Sequence, residues 1–477
     1  MLTNLDFLSI GEKWPPVTET ARLEQYEKNR QLFEGRHDEV YKAAFKRIER
    51  VIGNFQEVIS YSTVINFQKK ISLKTADFLW LEPPKIKAGA DDSAEQQALK
   101  DISDRSDLNN TGYSNTLDVS RYGDGLLLIY KDGDRGRIDV TQPSGWILVV
   151  DEGNVKRVIN HVLFSISGEK DQRKLTVQIH YRGYFETRVH RLVGGSFNSN
   201  VGEYIGPMLE QRQEPTGLSD FAIVQIPNVM TSERCYGLDD YMDVDSIVSE
   251  ILVRVAQISK VLDKHADPSV QGPQSALERD PVTGLYRIKL GNYFSRDDKE
   301  DPTVEYVTWD GQLEAAFRQL STLINFLGVI SEMGSAVFDN GEKPGAMASG
   351  TALRLRYVSL LAKIKRVSLR YTPALIKAIK LCSELGGLNL TKSDISVVWQ
   401  DGLPNDEKER ADIASVRTGA KPTWSQKEAI MYLDDKTEEQ AQETYEQILE
   451  EEAARAPAPL GGSFDEPDNT DEEPPEE

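Results

Sequence analysis

Between residues 18 and 50 the chain reads TETARLEQYEKNRQLFEGRHDEVYKAAFKRIER, a helical pattern interrupted at Gly35. It predicts helices, with Thr18 as the first N-cap. A second helix is predicted over 62–81, where Pro83-Pro84 stops it, and a third over 93–120. From Gly125 the hydrophobic period falls to two. GLLLIYKDGDRGRIDVTQP is two strand-like runs around an Asp-Gly turn, a strong hairpin signal. GWILVVDEGNVKRVINHVLFSI repeats the device around residues 151–154, and KLTVQIHYRGYFETRVHRLV repeats it around Arg182-Gly183. Such spacing predicts one antiparallel meander, ending near FAIVQIPN.

The period then returns to helical. Over 239–266, Val244, Val248, Ile251, Val255, Ile258 and Leu262 form one apolar seam. Over 312–334, Leu313, Phe317, Leu320, Ile324, Leu327 and Ile330 form another. The Pro- and Gly-bearing stretch between them holds two short strand candidates, GLYRIKL and TVEYVTW. Two amphipathic helices flanking a compact insert predict an antiparallel pair with a small module at its far end. The next long helix is predicted over 349–385, roughly 55 Å if continuous, with Pro373 kinking or breaking it near Arg370. Its seam is Leu353, Tyr357, Leu360, Ile364, Val367 and Tyr371, and Arg356, Lys363, Arg370 and Lys377 recur at heptad spacing on another face. Two or three short helices follow to about residue 454, with Thr423 or Ser425 as a cap and Glu428 completing a capping box with Ser425. From residue 456 the chain is acidic and proline-rich, which predicts disorder.

Charge changes the picture. The net charge is −21 over 477 residues, which repels nucleic acid at long range and argues against a groove-reading DNA binder. No apolar run is long enough to span a bilayer, and MLTNLDFLSIGEKW lacks the pattern of a secretory signal. Two cysteines, Cys235 and Cys382, build no disulfide framework and no zinc pair. None of His37, His161, His180, His190 and His265 falls in a paired metal spacing. Asp239, Asp240, Asp243 and Asp245 could attract a divalent ion, but acids at a helix start answer the helix dipole more simply. Gly345 and Gly350 have the spacing of a P-loop, yet Thr351 stands where its lysine should be and Ala352 where its hydroxyl should be. No catalytic constellation and no cofactor site is expected.

The order of parts carries a resemblance. YEKNRQLFEGRH, STVINFQKKISLKTADFLWLEPPKI, SGTALRLRYVSLLAKIKR and WQDGLPNDEKERADIASVRTG, in this order, make the chain similar to the portal proteins of tailed double-stranded DNA bacteriophages. The resemblance implies an α+β portal fold. Residues 1–238 would be the wing, with helices and a β meander. Residues 239–266 and 312–334 would be the stem helices, with 267–311 between them as a small α/β clip. Residues 335–348 would be the tunnel loop, 349–402 the long wing helix and its return, 403–455 an all-α crown and 456–477 an acidic tail.

The resemblance also implies a non-enzyme, assembled as a ring of about twelve copies at one capsid vertex. It would be made in the host cytoplasm and carried in the virion. DNA would pass through it during packaging and ejection. Its partners would be the terminase large subunit, a head-tail adaptor, and the major capsid and scaffolding proteins, with no membrane. Phe338, Asp339, Asn340, Gly341, Glu342, Lys343 and Pro344 would face the channel, glycines giving the loop its joints. Lys343 would be the cation that meets phosphate. Twelve copies carry on the order of −250 charges, which suits passage rather than capture. Arg279, Arg287 and Arg296 are clip docking candidates. Arg356, Lys363, Arg370 and Lys377 would pair with an acidic neighbouring subunit, the preferred reading, or else face packaged DNA. Two rival readings are a coiled-coil scaffold or adaptor of cellular origin, which predicts dimers or trimers, and a nucleotide-dependent enzyme, which predicts ATP binding at the Gly345 loop.

Overall fold

In the computed structural model the described residues are 1–52, 63–169, 172–194, 203–266, 270–271, 277–279, 286–288, 305–306, 313–338, 354–387, 389–400, 407–419, 422–434, 436 and 438–455. The helices in chain order are α1 (Val17–Phe33), α2 (His37–Val40), α3 (Lys42–Ile52), α4 (Phe67–Trp80), α5 (Ala94–Arg105) and α6 (Leu108–Tyr122). They continue with α7 (Asp245–Ala266), α8 (Leu313–Ile330), α9 (Ser335–Phe338), α10 (Val358–Glu384), α11 (Glu407–Thr418), α12 (Gln426–Asp434) and α13 (Glu438–Arg455). The strands are β1 (Lys13–Trp14), β2 (Lys85–Lys87), β3 (Asp124–Asp132), β4 (Arg135–Thr141), β5 (Trp146–Val150), β6 (Val158–Ser167), β7 (Lys174–His180) and β8 (Tyr184–Val193). They end with β9 (Glu203–Pro215), β10 (Ile223–Pro227), β11 (Val270–Gln271), β12 (Leu277–Arg279), β13 (Tyr286–Ile288), β14 (Glu305–Tyr306) and β15 (Ser396–Val398).

All three expected hairpins form. β3 and β4 pair with Asp132 opposite Arg135, β5 with β6, and β7 with β8 with His180 opposite Phe185. The single meander, however, is two sheets. One has the order β1-β9-β8-β7-β6-β5 and the other β10-β3-β4. The break falls at the 3-10 turn Pro143–Gly145, because proline has no N–H to continue a ladder. FAIVQIPN therefore supplies β10 to the smaller sheet rather than closing the larger one, and β9 was not expected at all. Thr18 is not a cap either: α1 starts at Val17 behind Pro16, with no side chain on its N-terminal amides. Asn66 and Ser93 cap α4 and α5, accepting from the amides of Lys69 and Gln96.

The core lies where α10 crosses α4, α6 and the β10-β3-β4 sheet. Leu360, Ile364, Val367, Tyr371, Leu375 and Ile379 of α10 pack there with Ile71, Trp80, Val119, Leu127, Ile129 and Ile138. α10 runs unbroken through Pro373. Pro373 and Leu369, the residue whose carbonyl loses its donor, both face solvent, so the helix carries the proline on its open side, where the lost hydrogen bond costs least. A second core puts Phe7, Leu8 and Trp14 under the six-stranded sheet, and a third joins the two sheets through Leu126, Trp146, Leu148 and Ile223.

Pro404–Glu477 fall in a separate unit, with Ala348–Ala352. Ser425 and Glu428 form the expected capping box at α12: the Ser425 amide donates to Glu428 Oε2 at 2.7 Å, and the Glu428 amide donates to Ser425 Oγ at 3.2 Å. The buried apolar residues of this unit among those described are Ala414, Ala429 and Ala441. Residues 456–477, where disorder was expected, lie outside the described residues. No helix among the described residues is long and apolar enough to cross a membrane.

Candidate functional site

The helix pair α7 and α8 packs along the predicted seams, but the seams are not equally closed. Val244, just before α7, and Val248 and Ile251 on it are fully buried, and Leu262 is open. On α8, Leu327 is buried, and Leu320, Leu323 and Ile324 are half-buried against the core. Phe317, Phe326, Val329 and Ile330 are 48%, 55%, 70% and 49% exposed. Phe326, Val329 and Ile330 are spaced i, i+3, i+4 and so share one face of the helix. An apolar helix face left open to this extent marks an interaction surface.

α8 ends in a tight turn. Glu332 adopts φ 60° and Gly334 φ 75°, and the Gly334 amide returns to the Gly328 carbonyl at 2.9 Å. Met333 is fully buried. α9 follows, with the Phe338 ring edge-on to Phe67 at 5.6 Å. Two cations of α10 meet this turn. Lys363, 1% exposed, places Nζ 2.9 Å from Asp240 Oδ1 and donates to the Ser331 carbonyl at 3.2 Å. Arg366 forks onto the Glu332 carboxylate, with Nη1 3.0 Å from Oε1. Asp240 also accepts from Ser120 Oγ at 2.7 Å and Asn228 Nδ2 at 2.9 Å. Ser120 in turn accepts from Ser72 at 3.0 Å, and Ser72 lies 2.7 Å from the Tyr241 hydroxyl.

The four cations read as one face therefore separate. Arg356 and Arg370 are exposed. Lys377 is exposed too, but its Nζ reaches Asp220 at 2.7 Å within the same chain. Burial opposes ionisation of Asp220, yet the hydrogen bond from Lys377 holds its carboxyl below the usual range. Lys363 is a correction: it is spent inside this subunit and is closed to a neighbour. A signal was present, because Lys363 stands three residues after Leu360 and four before Val367, on the buried stripe rather than opposite it.

The acidic cluster is likewise divided. Asp239 accepts from the amides of Tyr241 and Met242, Asp240 serves Lys363, and Asp245 takes Lys28 and the Tyr41 hydroxyl at 2.8 Å. Among the described residues no three or more His, Cys, Asp or Glu side chains come together in a group that could hold a metal ion. Cys235 and Cys382 are free and buried. Of the remaining predicted residues, Arg279 ends β12 and Arg287 lies in β13, paired with Glu278. Arg296, Asp339, Asn340, Gly341, Glu342, Lys343, Pro344, Gly345 and Gly350 lie outside the described residues.

The family described as phage portal protein, SPP1 Gp6-like, matches residues 17–458. No curated protein matches the sequence. Among solved structures, a chain from the neck of an empty gene transfer agent (GTA) particle, computed with C6 symmetry, is 14% identical. It aligns with TM-score 0.47 over 78% of this chain and 90% of its own. A chain from the virion of a native GTA particle is 13% identical, with TM-score 0.40 over 82% and 93%. One from a native GTA neck computed with C12 symmetry is also 13% identical, with TM-score 0.39 over 76% and 92%.

Proposed function

This chain belongs to the SPP1 Gp6-like family of phage portal proteins, and on that premise we propose that it forms the ring at one capsid vertex through which the genome is packaged and ejected. Residues 1–238 with 349–402 act as the wing, α7 and α8 as the stem, 267–311 as the clip, 335–348 as the tunnel loop and 403–455 as the crown. The protein is a conduit and a docking platform rather than an enzyme. Terminase and head-completion proteins meet the clip, with Arg279, Arg287 and Arg296 as contact residues. Phe338 is turned inward onto Phe67 and is dropped from the channel set; Asp339 to Pro344 face the DNA, and Lys343 makes the weak phosphate contact that transport tolerates.

One structural feature supports assembly above the rest: the open apolar face of Phe326, Val329 and Ile330 on α8. A ring covers that face with the stem of the next copy, burying about 25 cal/mol of stabilisation per Å² of apolar surface. Arg356 and Arg370 are the exposed cations offered to an acidic neighbour. An Arg370→Glu protein that assembles as well as the parent removes Arg370 from that role.

The test is the mass of the purified protein by light scattering, with negative-stain images of the same fractions. Rings of about twelve subunits with a central hole are expected. Phe326→Asp with Val329→Asp should leave a folded monomer that forms no ring. Dimers or trimers of the parent at every salt concentration tried would favour a coiled-coil scaffold instead.

A further inference from the structure

The turn that ends α8 has a conformation its own sequence disfavours. Glu332 occupies the left-handed region at φ 60°, where helices commonly place glycine because a Cβ is strained there. A lysine with 1% exposure is as unusual, since its ammonium is ordinarily left in water. The two oddities meet. Lys363 and Arg366 are three residues apart on α10, so they share a face, and both bond to this one turn: Lys363 to the Ser331 carbonyl and Arg366 to the Glu332 carboxylate. The same Lys363 ammonium also pairs with Asp240, in the segment that leads into α7.

We infer that Lys363 and Arg366 are positioning residues that clamp the turn 331–334, and so fix the direction in which the chain leaves α8. Through Asp240 the clamp also holds the start of α7, so one side chain of α10 secures both neighbouring ends of the helix pair. Its two halves differ in solvent access. The Lys363–Asp240 pair is buried, with side-chain exposures of 1% and 9%, and salt does not reach it. The Arg366–Glu332 pair is 39% and 43% exposed, and salt screens it. High salt therefore loosens the outer half and leaves the inner half closed. The clamp stands on these contacts alone. Only its consequence, a fixed base for a DNA-facing loop, rests on the portal reading.

Amide hydrogen exchange on the full-length chain tests it, because the amides of Ser331, Glu332 and Gly334 bond to the carbonyls of Leu327, Val329 and Gly328 and report turn opening. In Arg366→Gln and in Glu332→Gln, peptides covering 331–338 should exchange about two- to fivefold faster than in the parent. Peptides of α10 and of β3–β4 should be unchanged. Raising the salt should bring the parent towards the variants and leave the variants where they are. Lys363→Met alone strands Asp240 as an uncompensated buried charge and should loosen the whole core. Lys363→Met combined with Asp240→Asn should restore the core while the turn stays fast. The inference is overturned if neither glutamine variant accelerates the turn, if acceleration spreads equally into α10 and β3–β4, or if the double variant protects the turn as the parent does. The portal reading is judged separately, by whether the parent forms rings.

Discussion

Trp80→Ala is expected to cost about 3–5 kcal/mol of stability, the range for removing a large buried aromatic. Trp80 is 4% exposed and closes the last turn of α4. Its ring meets Tyr371 edge-on at 5.8 Å and Trp399 at 5.4 Å. Its indole N–H donates to Thr116 Oγ1 at 2.8 Å. Thr116 also lies 2.8 Å from the Tyr371 hydroxyl, which donates to Asn115 Oδ1 at 2.7 Å. Truncation thus opens a cavity between α4, α6, α10 and the segment before the second unit, and removes one donor from a buried network. Urea unfolding followed by circular dichroism measures it. A Trp80→Ala protein within about 0.5 kcal/mol of the parent, the usual range for surface changes, would mean that this junction does not hold the main core together. Gly112→Ala probes the same contact from the other side. A Cβ there would fall 2.1 Å from the Trp80 ring, and the overpacking should cost about 1–3 kcal/mol.

Trp80 also marks how far the sequence could be read. Helices with clear apolar seams, α7, α8 and α10, were legible because burial on one side of a helix imposes its period on the chain. Hairpins were legible because Asp132-Gly133 and Arg182-Gly183 announce their turns. Which strands shared a sheet was not, since the separation of β10-β3-β4 from the larger sheet depends on a pairing nearly a hundred residues long, between Ile223 and Leu128. Polar connections were the least legible. Lys363 looked like a member of a basic face until its geometry with Asp240, 123 residues away, gave it an interior role. Similarly, Asp124 is buried with Tyr26, Gln225 and the Gly237 amide around it, and no local pattern announces such a group. Of the open face of α8, Ile330 was written in the sequence as part of the seam, whereas Phe326 and Val329 were not. Only packing divides that seam, burying Leu327 and leaving Phe317 and Ile330 open.

His180→Leu should make the protein less sensitive to acid, with the stability difference between variant and parent widening by about 2 kcal/mol from pH 7 to pH 5. His180 on β7 stands opposite His161 on β6, and the two are 3% and 4% exposed. Neither ring nitrogen of His180 has a hydrogen-bond partner among the described residues, and burial pushes its pKa down to about 4. Burial, with His180 and Lys377 nearby, pushes His161 down to about 3, against the smaller pull of Asp220. His161 Nδ1 meanwhile accepts the Trp146 indole N–H at 3.2 Å. In the unfolded chain a histidine titrates near pH 6.5, so acid binds the unfolded state first. The contribution of a buried neutral histidine is complete above that value and is lost as the pH falls below it, by about 1.4 kcal/mol per unit until the folded pKa is reached. Asp118 and Asp124 push the other way, because burial raises each to about 6 and the folded state gains stability as they protonate. They are common to both proteins and cancel in the difference, which is why the variant isolates the histidine where a pH profile of the parent alone would not. Urea midpoints of the pair at pH 7 and pH 5 are the measurement. A gap that does not change with pH would mean that His180 reaches water and titrates as it does in the unfolded chain.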